Sequence, residues 1–546
     1  MTAVGNLAAS SVARLLDEPR KQCPERTAIA DGSSSLTFAE LSSATLRFAH
    51  KLTSLGVGRG ARVVIFTDKS VTTVVAILGT LRAGAAYVPL DRNAPPARLE
   101  HLVRDVEPAV IVAARPLLDV ASWLPHGVPH ISFEDVPLGL AADVPALPLE
   151  IEADDLACIV FTSGSTGFPK GVMMTYGNIA AFFSAHRRIT EIDATSVALN
   201  MAPFYFGVSI MDALLPLSAG ATVHLTQLLP IPSALLRTLA SRRITHLCAV
   251  SSVLARITGD GAALKELDLS ALRVILFGAE VCDPRVLHAW LRAIPHIRLI
   301  NNYGQTETTV VCATHLFRAG SPEQQFPSPC TGELNQEFCP IGTPLQHMTA
   351  LLVDGERVID ASDTPGELLV AGPQITPGYW RRPEEQAQAF VIRDGVPYYR
   401  TGDTCMQNDR GDLLYLGRKD DEVKIGGRRV HLNEVRRALL SHPDVKNVAA
   451  FAVTSPDGAR YVASALIIQC PPSHAAILAV QAHVRDSLPE YMVPRFILVT
   501  SDFPQLPTGK VNTRGMSTLL ERAMTATRNE FFVVRDGAAT PLLASK

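Results

Sequence analysis

The 546-residue chain is too long for one hydrophobic core, since single cores stop growing at about 250–300 residues and longer chains divide into domains. Hydrophobic residues make up 47% and charged residues 19%, and the mean hydropathy is +0.17; this composition is typical of a globular protein and excludes a disordered one. The formal net charge of −3 provides no basic field of the kind that binds nucleic acid.

The cysteines and the apolar segments indicate the compartment. Nine cysteines are scattered without a C-x-x-C pair, so neither a zinc site nor a redox dithiol is predicted. No transmembrane segment is expected, because Arg82 interrupts the most hydrophobic stretch. Asp17, Glu18 and Arg20 stand where a secretion signal would have its apolar core. We therefore expect reduced thiols and a cytoplasmic protein.

Short apolar, β-branched runs alternate with longer amphipathic stretches from the N-terminus to about residue 416. Continuous apolar runs predict buried strands, and the pattern at 70–84 predicts a helix. The sequence therefore predicts an α/β fold of layered sheets and helices, with strands at 61–66, 108–114, 156–161 and 272–277.

The composition changes after residues 401–403, where charged, turn-rich sequence leads into a short pattern of helices and strands. We place a linker at 418–420. The predicted domains are a large N-terminal domain over 1–418, a small α+β C-terminal domain over 419–518 and a C-terminal tail over 519–546.

A segment rich in Ser, Thr and Gly, FTSGSTGFPKG at 161–171, directly follows one of the predicted strands. Its backbone N–H groups and hydroxyls can bind a polyphosphate, and Lys170 adds a positive charge. The spacing excludes a Walker loop, which requires Gly-Lys-Ser/Thr after four intervening residues. A plain turn rich in Ser and Gly is the alternative.

Eight further segments accompany this loop: LTFAEL (36–41), LRAGAAYVPLD (81–91), NNYGQTETT (301–309), PIGTP (340–344), GELLVAGPQITPGYW (366–380), YRTGD (399–403), GRKDDEVKIGGRRVHLNEV (417–435) and LPTGKVN (506–512). Together with the loop, they occur in an order and at a spacing that resemble the adenylate-forming superfamily. That superfamily includes amino-acid adenylation enzymes of nonribosomal peptide synthesis, acyl-CoA synthetases and luciferases. The resemblance covers nearly the whole chain and implies the superfamily's fold, with a small mobile C-terminal domain, and an ATP-dependent, AMP-forming ligase.

The resemblance also implies which residues bind ATP and Mg²⁺. Tyr303 would stack near the adenine, Thr306 would hold the α-phosphate, and Glu307 would hold Mg²⁺. Magnesium takes only one or two protein carboxylates and fills its shell with phosphate and water. A solvated surface acid is the alternative for Glu307. The remaining ATP contacts would come from Thr162, Ser163, Gly164, Thr166, Gly167 and Lys170 for the phosphates, and from Asp403 and Arg418 for the ribose.

Two residues near the C-terminus match functional positions of the superfamily. Lys510 matches the catalytic lysine, which stabilises the negative charge that develops in the transition state. Asp420 matches the hinge about which the small domain turns between an adenylating and a thioester-forming pose. The chain also departs from the family: Gln305 stands where proline is usual, and Gly426 where a basic residue is common.

The segment FYFGVSIMD at 204–212 matches the part of amino-acid adenylation enzymes in which an aspartate holds the substrate's amino group, but Gly207 replaces that aspartate. Because Phe277 replaces a small residue, we predict a small pocket and a small amino acid, glycine first, with Asn302 and backbone carbonyls in place of the lost carboxylate. Ordinary core packing is the alternative for Phe277 and Met211. The resemblance assigns the pocket to Phe206, Gly207, Val208, Met211, Cys248, Ile275, Phe277, Gly278, Asn302, Val310 and Val311.

Two acceptors for the acyl group are open at this point. The layout is most similar to stand-alone ligases that load glycine or D-alanine on the phosphopantetheine thiol of a separate carrier protein, and no carrier serine motif follows Lys510. The segment PFYFG also resembles the P-x-F-H-x-x-G pattern of acyl-CoA synthetases. On that alternative, the substrate is a small organic or aryl acid and the acceptor is coenzyme A.

Overall fold

The chain folds into two compact units. The first comprises Met1–Arg92, Val103–Phe161 and Gly171–Lys419, and the second comprises Asn93–Leu102, Thr162–Lys170 and Asp420–Lys546. The computed structural model describes residues 8–136, 138, 140, 144–147, 150–163, 169–226, 231–259, 261–280, 282–319, 339–418, 422–456, 458–504, 511–526, 529–535 and 538–541.

Polar caps begin two long helices, α3 (Phe38–Ser54) and α7 (Tyr176–Thr190). The Thr37 side chain accepts a hydrogen bond from the Glu40 N–H, and the Glu40 side chain accepts one from the Thr37 N–H; Thr175 and Asn178 form the same reciprocal pair at α7. The other helices are α1 (Ala9–Ala13), α2 (Asp17–Gln22), α4 (Val71–Arg82), α5 (Pro96–Val106), α6 (Arg115–Val120), α8 (Leu215–Ser218), α9 (Pro232–Ser241), α10 (Ser251–Thr258), α11 (Ala263–Glu266), α12 (Pro284–Ala293), α13 (Pro383–Ala389), α14 (Leu432–Leu440), α15 (His474–Arg485) and α16 (Thr513–Ala526).

The larger sheet of the first unit has a parallel half and an antiparallel half. Its parallel strands are continuous apolar runs, as the sequence predicts for strands covered on both faces. The strands, from one edge to the other, are β17 (Arg357–Val358), β16 (Thr349–Asp354), β18 (Gly366–Ala371), β21 (Val396–Gln407), β22 (Leu413–Arg418), β15 (Pro340–Pro344), β14 (Ala313–Phe317), β13 (Arg298–Tyr303), β12 (Val274–Gly278), β11 (His246–Val250), β9 (Val197–Asn200), β10 (Thr222–Leu225), β1 (Thr27–Ala30) and β2 (Ser35–Thr37), with β20 (Phe390–Arg393) paired to β21.

A second sheet is mostly parallel and includes the strands on either side of the glycine-rich loop. Parallel strands joined by helices indicate the βαβ connections of an α/β fold. The strands in order are β19 (Gly378–Tyr379), β8 (Lys170–Thr175), β7 (Leu156–Thr162), β4 (Ala86–Asp91), β3 (Arg62–Thr67), β5 (Val110–Ala113) and β6 (His130–Ser132).

The second unit contains a β-hairpin and a five-stranded sheet. The hairpin joins β23 (Glu422–Ile425) to β24 (Arg428–His431). The sheet runs in the order β25 (Val445–Thr454), β26 (Arg460–Ile468), β27 (Phe496–Val499), β28 (Phe531–Arg535) and β29 (Ala538–Pro541). Much of the segment predicted as a tail is therefore structured, since it completes α16 and adds two strands to this sheet.

The predicted α/β class is confirmed by these layers. The cysteines among the described residues are free thiols. Among the described helices, none combines the length and the apolar character needed to cross a membrane.

Candidate active site

A buried carboxylate joins three strands of the large sheet. Asp403 on β21 is 0% exposed and accepts hydrogen bonds from donors on two other strands of this sheet. The hydroxyl of Tyr303, at the end of β13, donates to Oδ2 at 2.5 Å, and Nη1 of Arg418 on β22 donates to Oδ1 at 2.9 Å. Burial, together with the charge of Asp403, holds the pKa of Tyr303 well above its usual range. The structure thus brings together three residues that the resemblance assigns to the nucleoside.

Glu307 is an interior carboxylate. It lies in the 3₁₀ helix Thr306–Thr308 that follows β13, and it is 0% exposed. The Tyr379 hydroxyl donates to its Oε1 at 2.8 Å, while its backbone carbonyl accepts from the Thr376 N–H at 3.0 Å. The alternative of a solvated surface acid is therefore wrong. Thr306 is half-buried beside it.

The backbone after Glu307 adopts a conformation that β-branched residues rarely take. Thr309 has φ 52° and Val310 has φ 75°, in the left-handed region. Gln374 braces this segment: its backbone carbonyl accepts from the Thr309 hydroxyl at 2.6 Å, and its Nε2 donates to the Val311 carbonyl at 2.6 Å. Such strain persists only where the surroundings hold it, and functional sites often contain it.

A buried aspartate fixes the loop that leads to Gly207. Asp212, in the π-helix Ile210–Leu214, accepts from the backbone N–H groups of Met201 at 3.0 Å and Ala202 at 2.9 Å, and from Nδ2 of Asn200 at 2.6 Å. Burial raises the pKa of Asp212. Lys69 donates to Oδ1 of Asn200 at 2.9 Å, and burial lowers its pKa to about 8.

Gly207 lies beside Val310, and Asn302 lies beside Met211. A Cβ atom added at Gly207 would lie 3.5 Å from Cε of Met174 and 3.8 Å from Cγ2 of Val310, so the position has apolar neighbours and room for a methyl group. Nδ2 of Asn302 lies 3.5 Å from Sδ of Met211. The buried Oδ1 of Asn302 has no hydrogen-bond partner among the described residues. Asn302, which the sequence assigns to the substrate pocket, therefore has a buried oxygen that can accept a hydrogen bond.

Two predicted pocket residues lie on the other face of the sheet. Phe277 packs in a core with Ile275, and its ring centroid is 6.3 Å from that of Phe317. Neighbouring residues on a strand point to opposite faces, and Cys248 is in register with Leu276 on the face opposite Phe277. Phe277 therefore does not crowd Cys248, and the steric argument for a small pocket is wrong. Core packing was the stated alternative for Phe277.

The other predicted pocket positions have distinct surroundings. Gly278 has φ 155°, and a Cβ there would lie 2.1 Å from the Asn302 carbonyl, so the close approach of two strands requires glycine. The ring of Phe206 packs 4.7 Å from that of Tyr205. Val208 packs against the main core, in which Val311 is buried.

Part of the predicted nucleotide site lies outside the described residues. Thr162 ends β7, and its buried Oγ1 has no partner among the described residues. Ser163 follows it and is buried, while Lys170 begins β8 and is half-buried. Gly426 and Gly427 form the turn between β23 and β24, with φ 55° and 77°. Predicted residues outside the described part are Gly164, Thr166, Gly167, Asp420 and Lys510.

Several residues that hold the site were not assigned a role from the sequence: Tyr379, Gln374, Tyr399 and Asp212. Each stands inside a quoted motif. The partners of Tyr379, Gln374 and Tyr399 are distant in the chain, as with Tyr379 and Glu307, which are 72 positions apart, whereas those of Asp212 lie 10 to 12 positions before it. A buried polar residue needs a partner, so a tyrosine or glutamine within an apolar motif was the available signal.

Comparison with known proteins identifies the family. The profile described as AMP-binding enzyme matches residues 16–380, which is more than half of the chain, and the profile described as AMP-binding enzyme C-terminal domain matches residues 434–510. The chain belongs to the AMP-binding enzyme family. The resemblance inferred from the motifs is confirmed at the level of the family.

Individual AMP-binding enzymes differ in how much of their length this chain matches. It is 32% identical to the L-proline–[L-prolyl-carrier protein] ligase of Streptomyces coelicolor, over 93% of this chain and 96% of that one. It is also 32% identical to one component of the linear gramicidin synthase of Brevibacillus parabrevis, over 92% of this chain but only 9% of that much longer protein. The amide bond synthetase McbA of Marinactinospora thermotolerans has the same fold, with a TM-score of 0.79 and 26% identity over 93% of this chain and 99% of that one.

Proposed function

We propose that this AMP-binding enzyme uses ATP to activate an amino acid as its aminoacyl-AMP with release of pyrophosphate; glycine, the candidate from the sequence, is the first acid to test. The enzyme then transfers the aminoacyl group to the phosphopantetheine thiol of a separate carrier protein. The observation that carries the proposal is the buried Asp403, on which Tyr303 and Arg418 converge. Three residues assigned to one ligand by resemblance meet at one place, although Tyr303 and Asp403 are 100 positions apart.

In the proposed adenylation, Asp403 and Arg418 bind the ribose and Thr306 binds the α-phosphate. Lys510 stabilises the charge that develops there. Glu307 fits the Mg²⁺ role because it is an interior carboxylate, already oriented by Tyr379, and magnesium bound to nucleotide needs one or two such ligands. The ion, when bound, neutralises phosphate charge. The reaction displaces pyrophosphate at the α-phosphate, so the protein positions the reactants and supplies no nucleophile.

The amino-acid assignment depends on Asn302. Gly207 offers no carboxylate to an ammonium group, but the buried Oδ1 of Asn302 is an acceptor that a substrate N–H could satisfy. Burying an acceptor without a partner costs about 1–3 kcal/mol, which a bound donor would recover. The apolar neighbours of Gly207 favour, as the second candidate, a small organic or aryl acid with coenzyme A as the acceptor.

The carrier-protein assignment follows the relatives. The Streptomyces coelicolor ligase, matched over nearly its full length, is named for a carrier protein. In our proposal the second unit turns at Asp420 between the two half-reactions, so that Lys510 serves adenylation alone. Lys510→Ala should then lower adenylation by orders of magnitude and leave transfer from supplied aminoacyl-AMP largely intact.

The test is acid-dependent exchange of labelled pyrophosphate into ATP, screened with every amino acid and with small organic acids. Exchange with glycine or another amino acid supports the proposal, and subsequent transfer to a holo-carrier protein but not to coenzyme A supports the acceptor. Exchange restricted to organic or aryl acids would move the assignment to the coenzyme A alternative. Release of ADP in place of AMP would remove the adenylation reaction itself.

A matched pair of variants tests Asn302. Asn302→Leu should raise KM for the amino acid about tenfold through loss of one hydrogen bond to a charged group, with KM for ATP unchanged. Asn301→Leu is the control: Asn301 is 6% exposed, and its Nδ2 donates to the Pro340 carbonyl at 2.7 Å from the other face of β13. Equal changes in both variants would contradict a substrate contact at Asn302.

A further inference from the structure

Gln305, which stands where the family usually has proline, is built into a conformation that proline cannot take. Its φ is −136°, far from the value of about −65° that the proline ring imposes. Its backbone N–H donates to Oγ1 of Thr308 at 2.9 Å, and the Thr308 hydroxyl donates back to the Gln305 carbonyl at 2.9 Å. Proline would lose the first of these bonds. The glutamine is therefore a specific feature of this chain, with its own local structure.

The Gln305 side chain is 4% exposed, and its amide makes three hydrogen bonds. Nε2 donates to the Thr401 carbonyl and to Oδ2 of Asp403, both at 2.9 Å, and Oε1 accepts from the Tyr399 hydroxyl at 2.6 Å. The orientation is determined by chemistry, because a carbonyl and a carboxylate only accept and so must face the NH₂ group. Tyr399 then holds the amide oxygen and opposes rotation of the amide.

Hydrogen bonds from within the protein use the full acceptor capacity of one carboxylate oxygen of Asp403. A carboxylate oxygen accepts about two hydrogen bonds, and Oδ2 accepts from Tyr303 and from Gln305. Oδ1 accepts from Arg418. The two oxygens therefore differ: within the part of the chain that the structure describes, Oδ2 accepts two hydrogen bonds and Oδ1 accepts one, so Oδ1 retains acceptor capacity.

We propose that Gln305 is a positioning residue for nucleotide recognition: together with Tyr399 it orients the Asp403 carboxylate so that Oδ1 faces the ribose. This rests on the proposed function, in which Asp403 binds the ribose of ATP. Because only Oδ1 is available, Asp403 reads one ribose hydroxyl. Removing that hydroxyl from the nucleotide should then weaken binding to the wild type, but it should weaken binding much less in a variant that lacks Gln305.

The experiment is calorimetric binding of ATP, 2′-deoxy-ATP and 3′-deoxy-ATP to the full chain, which requires no acid substrate. We expect the wild type to bind one deoxy nucleotide about tenfold more weakly than ATP, the size of one charge-assisted hydrogen bond, and the other nearly as well as ATP. Gln305→Met should reduce that tenfold discrimination to less than threefold, mainly by weakening ATP binding. Tyr399→Phe, which keeps the ring, should shift the ratio in the same direction by a smaller factor.

Gln481→Met is the matched control. Gln481 is also 4% exposed, and its Nε2 donates to the Pro494 carbonyl at 2.7 Å in the second unit, so its loss removes a comparable buried amide. It should leave the ratio of ATP to deoxy-ATP affinity unchanged.

Two results would overturn the role of Gln305 while leaving adenylation intact. One is full ribose discrimination in Gln305→Met and in Tyr399→Phe; the other is an equal loss of affinity for all three nucleotides, which would indicate a general effect on folding. A wild type that binds no adenine nucleotide would instead refute the proposed function together with this inference.

Discussion

The buried pair formed by Asp403 and Arg418 leads to a quantitative prediction about stability. The side chains are 1% and 8% exposed and lie 2.9 Å apart. Asp403→Asn keeps the shape but removes the charge that attracts the guanidinium, and it places an NH₂ group against one of the converging donors. Breaking a buried ion pair from one side typically costs about 3–5 kcal/mol, so we expect a loss of this size in the free energy of unfolding.

Tryptophan fluorescence during urea unfolding is the appropriate assay. The three tryptophans, Trp123, Trp290 and Trp380, all belong to the first unit, so the signal reports on the unit that contains the pair. Arg418→Met and the double variant complete a double-mutant cycle. The double variant should be more stable than the sum of the single losses predicts. A loss below about 1 kcal/mol in Asp403→Asn, or strict additivity in the cycle, would refute the reasoning.

Two further predictions concern the same unit and the same assay. His186 is 0% exposed, has no hydrogen-bond partner on either ring nitrogen among the described residues, and has its pKa lowered by burial to about 3. Because the unfolded chain binds a proton at His186 at higher pH than the folded chain does, the free energy of unfolding should fall by about 2 kcal/mol between pH 7 and pH 5. His186→Leu should remove this part of the pH dependence and leave stability at pH 7 unchanged or higher. An unchanged pH dependence in the variant would contradict the prediction. At Gly304 an added Cβ would lie 2.3 Å from the Val310 carbonyl, so Gly304→Ala should lower the free energy of unfolding by more than about 2 kcal/mol. Gly207→Ala is the control: its nearest contact is at 3.5 Å, and it should change the free energy of unfolding by less than about 1 kcal/mol. Similar losses in the two variants would show that the close approach of the backbone is not the cause.

The α/β class could be predicted because it depends on local patterns that the sequence displays directly. Continuous apolar runs become parallel strands with both faces covered, and the run at 272–277 contains most of β12, Val274–Gly278. The strand before the glycine-rich loop, β7, followed from the same pattern, whereas β8 after the loop was not predicted. Side chains of several motifs meet at Asp403, and the roles that the resemblance implies for them stay predictions.

The face on which a residue lies was less accessible from the sequence. Matching Phe277 to a pocket position ignored the two-residue period of a strand, in which a shift of one position moves a side chain to the other face of the sheet. Asn301 and Asn302 show the same effect, since adjacent identical residues contact Pro340 on one side and Met211 on the other. Only the register between neighbouring strands decides which of them reaches the site.

Long-range partners explain why Gln305 could be noticed but not interpreted. A departure from the family motif is visible in the sequence, whereas its compensation by Tyr399, 94 positions later, is visible only in the fold. The same holds for Gln374, which braces the left-handed residues after Glu307 from 63 positions away. The residues of the motif around Glu307 therefore do not fix its backbone conformation by themselves. The active-site conformation is maintained by side chains from distant segments, so a substitution inside the motif is tolerated only when those distant partners accommodate it.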